Sequence, residues 1–163
     1  AHVYACDVGS GQLIDKLRQD PRVSNMENIN CRYLEAKMFD PLPDFVCMDV
    51  SFISILSIMP AVLSCLKPEY EMVLLIKPQF EAGKDKVGKK GVVRDPAVHE
   101  EVLQNFISLA KSLDFTIRNL TFSPVKGPEG NIEFLAHLSM QPGEDSYLAP
   151  GDLVAQAHAA LKG

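Results

Sequence analysis

The chain has few cysteines, and none of them is spaced for chemistry. Cys6, Cys31, Cys47 and Cys65 are its four, with no CxxC pair among them. A zinc site needs local Cys/His pairs, so this spacing argues against one. The four histidines, His2, His99, His137 and His158, are equally scattered, and His137, inside an apolar strand-like run, reads as a satisfied core residue. No apolar run reaches the ~20 residues that cross a bilayer, because charges or prolines interrupt every candidate. No helix-period stretch has the basic amphipathic character of an interfacial anchor. Positive charge is in short supply too: 16 Lys and Arg stand against 21 Asp and Glu, for a net charge of −5. That excludes a generally basic nucleic-acid binder but leaves room for a local basic patch. Repeats, low-complexity tracts and linkers are also missing, so 163 residues read as one domain with a sizeable core. Cys6 and Cys47 fall in apolar, strand-like runs. They read as reduced core residues of a cytoplasmic protein.

What is present is an alternation of strand and helix signals. Residues 3–7 form an apolar run ending in Asp7 and then Gly9, a strand followed by a loop. Residues 11–19 place Leu13, Ile14 and Leu17 at helical spacing, and Asp20-Pro21 stops them. Residues 22–26 and 45–50 are the next strands, residues 55–66 a helix closed by Lys67-Pro68, and residues 71–76 a fourth strand. A long segment, 77–94, carries Pro78, Gly83, Gly88 and Gly91. Asp95-Pro96 then reads as an N-cap and first helical position. Val98, Val102, Phe106, Leu109 and Leu113 give that helix an apolar face. Residues 115–122 and 132–138 are strands joined by a turn-rich loop over 123–131, and residues 151–161 a closing helix. Alternating strands and helices imply a parallel sheet covered on both faces. The last two strands lack a helix between them and should pair as an antiparallel hairpin. The expected class is α/β, Rossmann-like, in the arrangement of S-adenosylmethionine-dependent methyltransferases.

Charge stands where a fold would not bury it cheaply. Asp49 follows Phe45-Val46-Cys47-Met48, Lys77 follows Val73-Leu74-Leu75-Ile76, and Glu133 sits within 132–138. Ions stranded at strand ends mark places where something is bound or transformed. The plainer reading is an ion cluster tying three strand ends together. Lys84, Lys86, Lys89, Lys90 and Arg94 crowd the segment after Lys77, countered before Asp95 by Glu81 and Asp85. A flexible basic loop at the mouth of a site can hold RNA phosphates, with Lys126 joining from the other glycine-bearing loop; a solvated loop is the alternative. Phe52 and Phe80 flank the same place and either stack on a base or pack in the core.

Six stretches carry a resemblance. They are Asp7-Val8-Gly9 with Gln12-Leu13; residues 16–23; residues 49–54; Lys77-Pro78-Gln79-Phe80-Glu81-Ala82-Gly83; Gly91-Val92-Val93-Arg94-Asp95-Pro96; and Gly127-Pro128-Glu129-Gly130-Asn131-Ile132-Glu133-Phe134. Together the chain resembles the TlyA-type family of hemolysin-named proteins and ribosomal RNA 2′-O-ribose methyltransferases, with an FtsJ-like catalytic domain. Members of that family begin with an S4-type RNA-binding domain, and a catalytic lysine and a glycine-rich first motif precede the strand that opens here. The resemblance therefore implies that residues 1–163 are an N-terminally incomplete FtsJ-like domain, expected by itself to bind cofactor poorly.

The resemblance also implies roles. Asp49, Lys77 and Glu133 are the expected catalytic set, on neighbouring strands. Lys77 would take the proton of a ribose 2′-hydroxyl, Asp49 would orient it beside the donor methyl, and Glu133 would hold Lys77 or the hydroxyl. S-adenosylmethionine is the expected cofactor, with Asp7 accepting from its ribose hydroxyls, Glu27 and Asn28 at the adenine edge, and Asp49 near the methyl. For Asp7 the alternative is a helix N-cap, and for Glu27 and Asn28 a polar loop. The implied partner is ribosomal RNA or a ribosomal subunit. A non-catalytic RNA- or nucleoside-binding module is the runner-up, and a membrane-active hemolysin the least supported.

Overall fold

The computed structural model describes residues 1–51 and 53–161, so Phe52 lies outside the described residues. The chain divides into two compact units. Ala1–Pro43 with Leu56–Lys67 form the first, and Asp44–Ile55 with Pro68–Gly163 the second.

In the first unit, β1 (Val3–Cys6) pairs in parallel with β2 (Val23–Met26), from Val3 opposite Val23 to Cys6 opposite Met26. The helix expected over 11–19 is a single turn, α1 (Asp15–Arg18). The reason lies far along the chain. The Glu27 carboxylate accepts the N–H groups of Gln12 (2.7 Å) and Leu13 (3.1 Å). These two donors are thereby fixed in a loop, with Gly11 at φ +67° and Ile14 extended. Ile14 and Leu17, which stand at helical spacing in the sequence, are exposed. Tyr4 packs edge-on against Phe39 at 5.0 Å and donates its hydroxyl to the Pro41 carbonyl. Leu34, Phe39, Ile58, Met59, Val62 and Cys65 are the buried apolar residues of this unit. Most of α2 (Ile55–Leu63) belongs to it, its first residue to the second unit.

The second unit is built on a four-stranded sheet in the order β3 (Phe45–Met48), β4 (Glu71–Ile76), β6 (Phe134–Ser139), β5 (Thr116–Phe122). β3 and β4 are parallel; β6 is antiparallel to both β4 and β5. The α/β class and the closing hairpin are as the sequence predicts. One face of the sheet is the core. Met72, Leu74 and Ile76 alternate along β4 and face Leu138, Ala136 and Phe134 across the ladder, all of them buried. The two-residue period of a strand puts such a set on one side. α4 (Pro96–Ser112) starts as expected at Asp95, whose side chain accepts the Ala97 N–H at 2.9 Å. It buries His99, Val102, Leu103 and Phe106. α5 (Pro150–Ala160) buries Leu153, Val154 and Ala157. Each large apolar side chain so enclosed contributes about 1.5–3 kcal/mol.

Two burial expectations are corrected. Cys47 is exposed, because β3 turns only Met48 fully inward. His137 was read as a core residue, yet it lies on the other face of β6, where it is partly exposed and pairs with Glu71 at 3.0 Å. An apolar run shows that a strand forms but not which side of it is covered.

Candidate active site

β4 ends at Ile76, and Pro78 begins the four-residue helix α3 (Pro78–Glu81). A residue before proline is held out of the helical region, and Lys77 is extended accordingly, at φ −111° and ψ 99°. Its side chain is only 10% exposed. The ammonium pairs with Asp49 Oδ1 at 2.6 Å and donates to Ser51 Oγ at 3.1 Å. Both partners come from the segment that leaves β3. Asp49 is mostly exposed, so the pair has a dry end and a wet one.

Glu133 enters from the other side. The antiparallel register opposes Ile76 to Phe134, so its next step opposes Lys77 to Glu133. Directly opposed residues share a face. Glu133 is buried, and its Oε1 accepts from Gln79 Nε2 at 2.9 Å. The other end of that amide, Gln79 Oε1, is buried with no hydrogen-bond partner among the described residues. Gly127 makes room for the carboxylate: a Cβ there would lie 2.3 Å from Glu133 Oε1. Glu81, in the same stretch as Lys77, does structural work. It accepts from Ser54 Oγ (2.6 Å) and from the Ile55 N–H (2.8 Å), pinning the start of α2. Burial pushes its carboxyl upward, against those two bonds.

The basic segment folds into turns rather than regular helix or strand. Short turns occupy Lys84–Lys86 and Lys89–Gly91. Lys86 is held by both oxygens of Glu101, at 2.5 and 2.7 Å. Lys84, Lys89, Lys90 and Arg94 are exposed, and Lys126 is half-buried beside Gly127. A surface cavity of about 460 Å³ opens among Lys86, Lys89, Lys90, Val92, Arg94 and Asp95.

The remaining expected residues belong to the first unit. Asp7 follows β1 and is exposed; its Oδ1 accepts the Gly9 N–H at 2.6 Å. It caps its own turn and not a helix, since Ile14 precedes α1. Glu27 follows β2 and is filled by its own chain. Besides Gln12 and Leu13 it accepts from Asn25 (3.1 Å) and Arg18 (3.2 Å). The Asn25 amide first, then the Leu13 N–H, pull its carboxyl down to about 2. Asn28 is exposed in the left-handed region at φ 60°. Burial, then Cys31 and Cys65, push the Cys6 thiol up to about 11, which leaves it unreactive at neutral pH.

The sequence pattern of FtsJ-like methyltransferases matches residues 1–140. The chain belongs to the FtsJ-like methyltransferase family. Among similar proteins, a candidate rRNA methyltransferase of Bacillus subtilis, YqxC, is 46% identical over 98% of this chain and 59% of its own length. The 16S/23S rRNA (cytidine-2′-O)-methyltransferase TlyA of Mycobacterium tuberculosis is 38% identical over 99% of this chain and 59% of its own. A solved structure described as a candidate hemolysin from Streptococcus thermophilus superposes with a TM-score of 0.91 at 46% identity, covering 99% of this chain and 59% of that one. The chain thus spans about 59% of the length of each of these relatives.

Within this FtsJ-like fold, Asp49 and Lys77 are in contact, and Glu133 is brought in by Gln79 and the register of β6. Sequence reasoning passed over Gln79, Ser51 and Asn131. Gln79 and Asn131 are neutral amides inside the two most distinctive stretches. The signal available was position: each stands two residues from a member of the expected catalytic set.

Proposed function

We propose that this chain is the catalytic part of a ribosomal RNA 2′-O-ribose methyltransferase that uses S-adenosylmethionine. The observation that carries the reading is the buried Lys77, paired with Asp49 at 2.6 Å, with Glu133 one register step beyond the β4–β6 ladder. Three strand ends supply a nitrogen, a carboxylate that orients it and a second carboxylate on the same face. A ribose hydroxyl is a poor nucleophile, so its proton must leave as the oxygen is alkylated. Lys77 Nζ is the group that takes that proton. Ser51 and Asp49 fix the nitrogen's position, and Glu133 accepts from the hydroxyl and aligns it. Burial of Lys77 and Glu133 keeps bulk water from competing for the proton.

The residues present fit the nucleoside end of S-adenosylmethionine. β1 and β2 are parallel, and Asp7 and Asn28 both follow their carboxyl ends, exposed. One oxygen of Asp7 is engaged by Gly9, which leaves the other to accept from a ribose hydroxyl. Asn28 would meet the adenine edge, with Glu27 bracing the loop below it. When bound, that cofactor supplies an electrophilic methyl on a sulfonium.

The relatives' names point to cytidine in ribosomal RNA as the target. Lys84, Lys86, Lys89, Lys90, Arg94 and Lys126 would meet the RNA phosphates. The same reading puts the protein in the cytoplasm, with its RNA substrate. Against a membrane-active role, no helix among the described residues is long and apolar enough to cross a membrane. The test is incubation of the full-length protein with ribosomal subunits and methyl-labelled S-adenosylmethionine. Label should enter ribosomal RNA at an alkali-resistant ribose, and Lys77→Ala should lower the rate at least ~100-fold. A protein that binds donor and RNA but transfers nothing would be a non-catalytic module instead.

A further inference from the structure

The segment that lines the basic cavity is tied down by a buried side chain outside the expected set, Asn131. Its Oδ1 accepts the Val93 N–H at 3.0 Å. Its Nδ2 donates to the Gly91 carbonyl at 2.9 Å and to the Pro128 carbonyl at 3.3 Å. Asn131 is 3% exposed, so these bonds form away from water. They clamp the segment that carries Lys89, Lys90 and Arg94 to the turn at Pro128–Gly130. The clamped segment is unusual. Lys90 and Gly91 are both left-handed, at φ 72° and 73°, and lysine rarely adopts that conformation. Such a backbone persists only where its surroundings impose it, and here Asn131 grips the Gly91 carbonyl and the Val93 N–H, on either side of Val92.

The cavity beside this kink measures about 460 Å³. Glu101 engages Lys86, and the Asp95 carboxylate caps α4. Cations still outnumber carboxylates around it, with Lys89, Lys90 and Arg94 exposed on its wall. A preformed basic concavity of this kind suits a phosphate monoanion held by charge-assisted hydrogen bonds.

From this geometry we infer that the cavity seats one backbone phosphate of the RNA strand, and that Asn131 is the positioning residue that shapes it. The inference rests on the RNA reading above. It adds a mechanical link: Asn131 precedes Glu133 by two residues, at most ~7 Å of chain. Seating the phosphate and placing the reacting hydroxyl against Glu133 therefore share one short rigid segment.

The experiment uses the full-length protein and a fluorescent ten-nucleotide single-stranded RNA, titrated across a salt series. Amide exchange at Val93 is followed in parallel. Asn131→Ala is the first variant. Gly91→Ala is the second, because a Cβ there meets nothing within 4 Å and only the left-handed backbone is disfavoured. Both should weaken RNA binding about tenfold and lower the salt slope by about one phosphate contact. Neither should add to the loss from Lys89→Ala/Lys90→Ala, because all three disable one element. In Asn131→Ala, Val93 exchange should quicken at least ~100-fold. Unchanged Val93 exchange would overturn the clamp. Fast exchange with unaltered RNA affinity would overturn the phosphate assignment. Wild-type protein that ignores the RNA would overturn the RNA reading itself, while the exchange data still decide the clamp.

Discussion

Around β1 and β2, large apolar side chains such as Val3, Val8, Ile14 and Leu17 are exposed, and the loop after β1 is braced by one carboxylate, Glu27, that binds Gln12, Leu13, Asn25 and Arg18. Around β4 and β6, Met72, Leu74, Ile76 and Phe134 are wholly enclosed, and the buried carboxylate Glu133 takes one bond from a glutamine while its neighbour Gly127 keeps space beside it. The contrast teaches how to tell two buried acids apart. Glu27 is filled by its own chain and serves the fold. Glu133 takes one side-chain bond among the described residues, which suits the substrate-facing role proposed for it.

The comparison can be broken at several points. Phe134→Ala in the enclosed unit should cost about 3–5 kcal/mol, read from the denaturant midpoint. Acid should act next. His99 is wholly buried, with its Nδ1 2.9 Å from His158 Nε2 and its ring edge-on to Phe134. Burial, then His158, pull its pKa to about 4, against Asp95, which favours the charged form. The unfolded chain takes that proton near 6.5 and the folded one only near 4. Stability should therefore be flat above about 6.5 and fall by roughly 3 kcal/mol as pH drops toward 4. His99→Gln should lose that part of the curve, and a wild type flat over this range would refute the assignment.

Gly127→Ala comes third. Gly127 has an ordinary φ of −69°, and the three atoms nearest an added methyl all belong to Glu133. Methyl transfer should fall about 100-fold with the melting temperature nearly unchanged. The Glu27 brace should yield at lower pH than any other carboxylate in its loop. Its proton uptake is depressed to about 2 in the fold. Its support is thus present above the unfolded value near 4.5 and vanishes as pH passes through about 2. Gln12 and Leu13 amides should stay protected at pH 4, and Glu27→Gln should expose them at neutral pH while amides of β4 and β6 hold. Ile14→Ala, on the exposed side of the comparison, should change stability by less than about 0.5 kcal/mol.

Strand positions and the closing hairpin were legible because alternation and turn residues are local signals. The helix over 11–19 was not, because the competitor for its N–H groups sits at residue 27 and no window of periodicity contains both. The faces of β3 and β6 were misread at Cys47 and His137 for a related reason: coverage is decided by what packs on the sheet. Asp49, Lys77 and Glu133 stood out as charges against apolar runs. Gln79 and Asn131 left no such mark, since an uncharged amide looks the same in a loop as it does holding a carboxylate or a backbone turn.

β6 has a strict side and a lenient one. Its ladder with β4 runs without interruption from Ser139 to Phe134, whereas its ladder with β5 contains an irregularity between Ile117 and Asn119. A one-residue insertion along β6 would send Glu133 to the opposite surface; one in β5 could be absorbed by the bulge already there. The sheet keeps its slack on the flank away from Lys77, so drift in length should accumulate in β5 and leave β4 and β6 untouched.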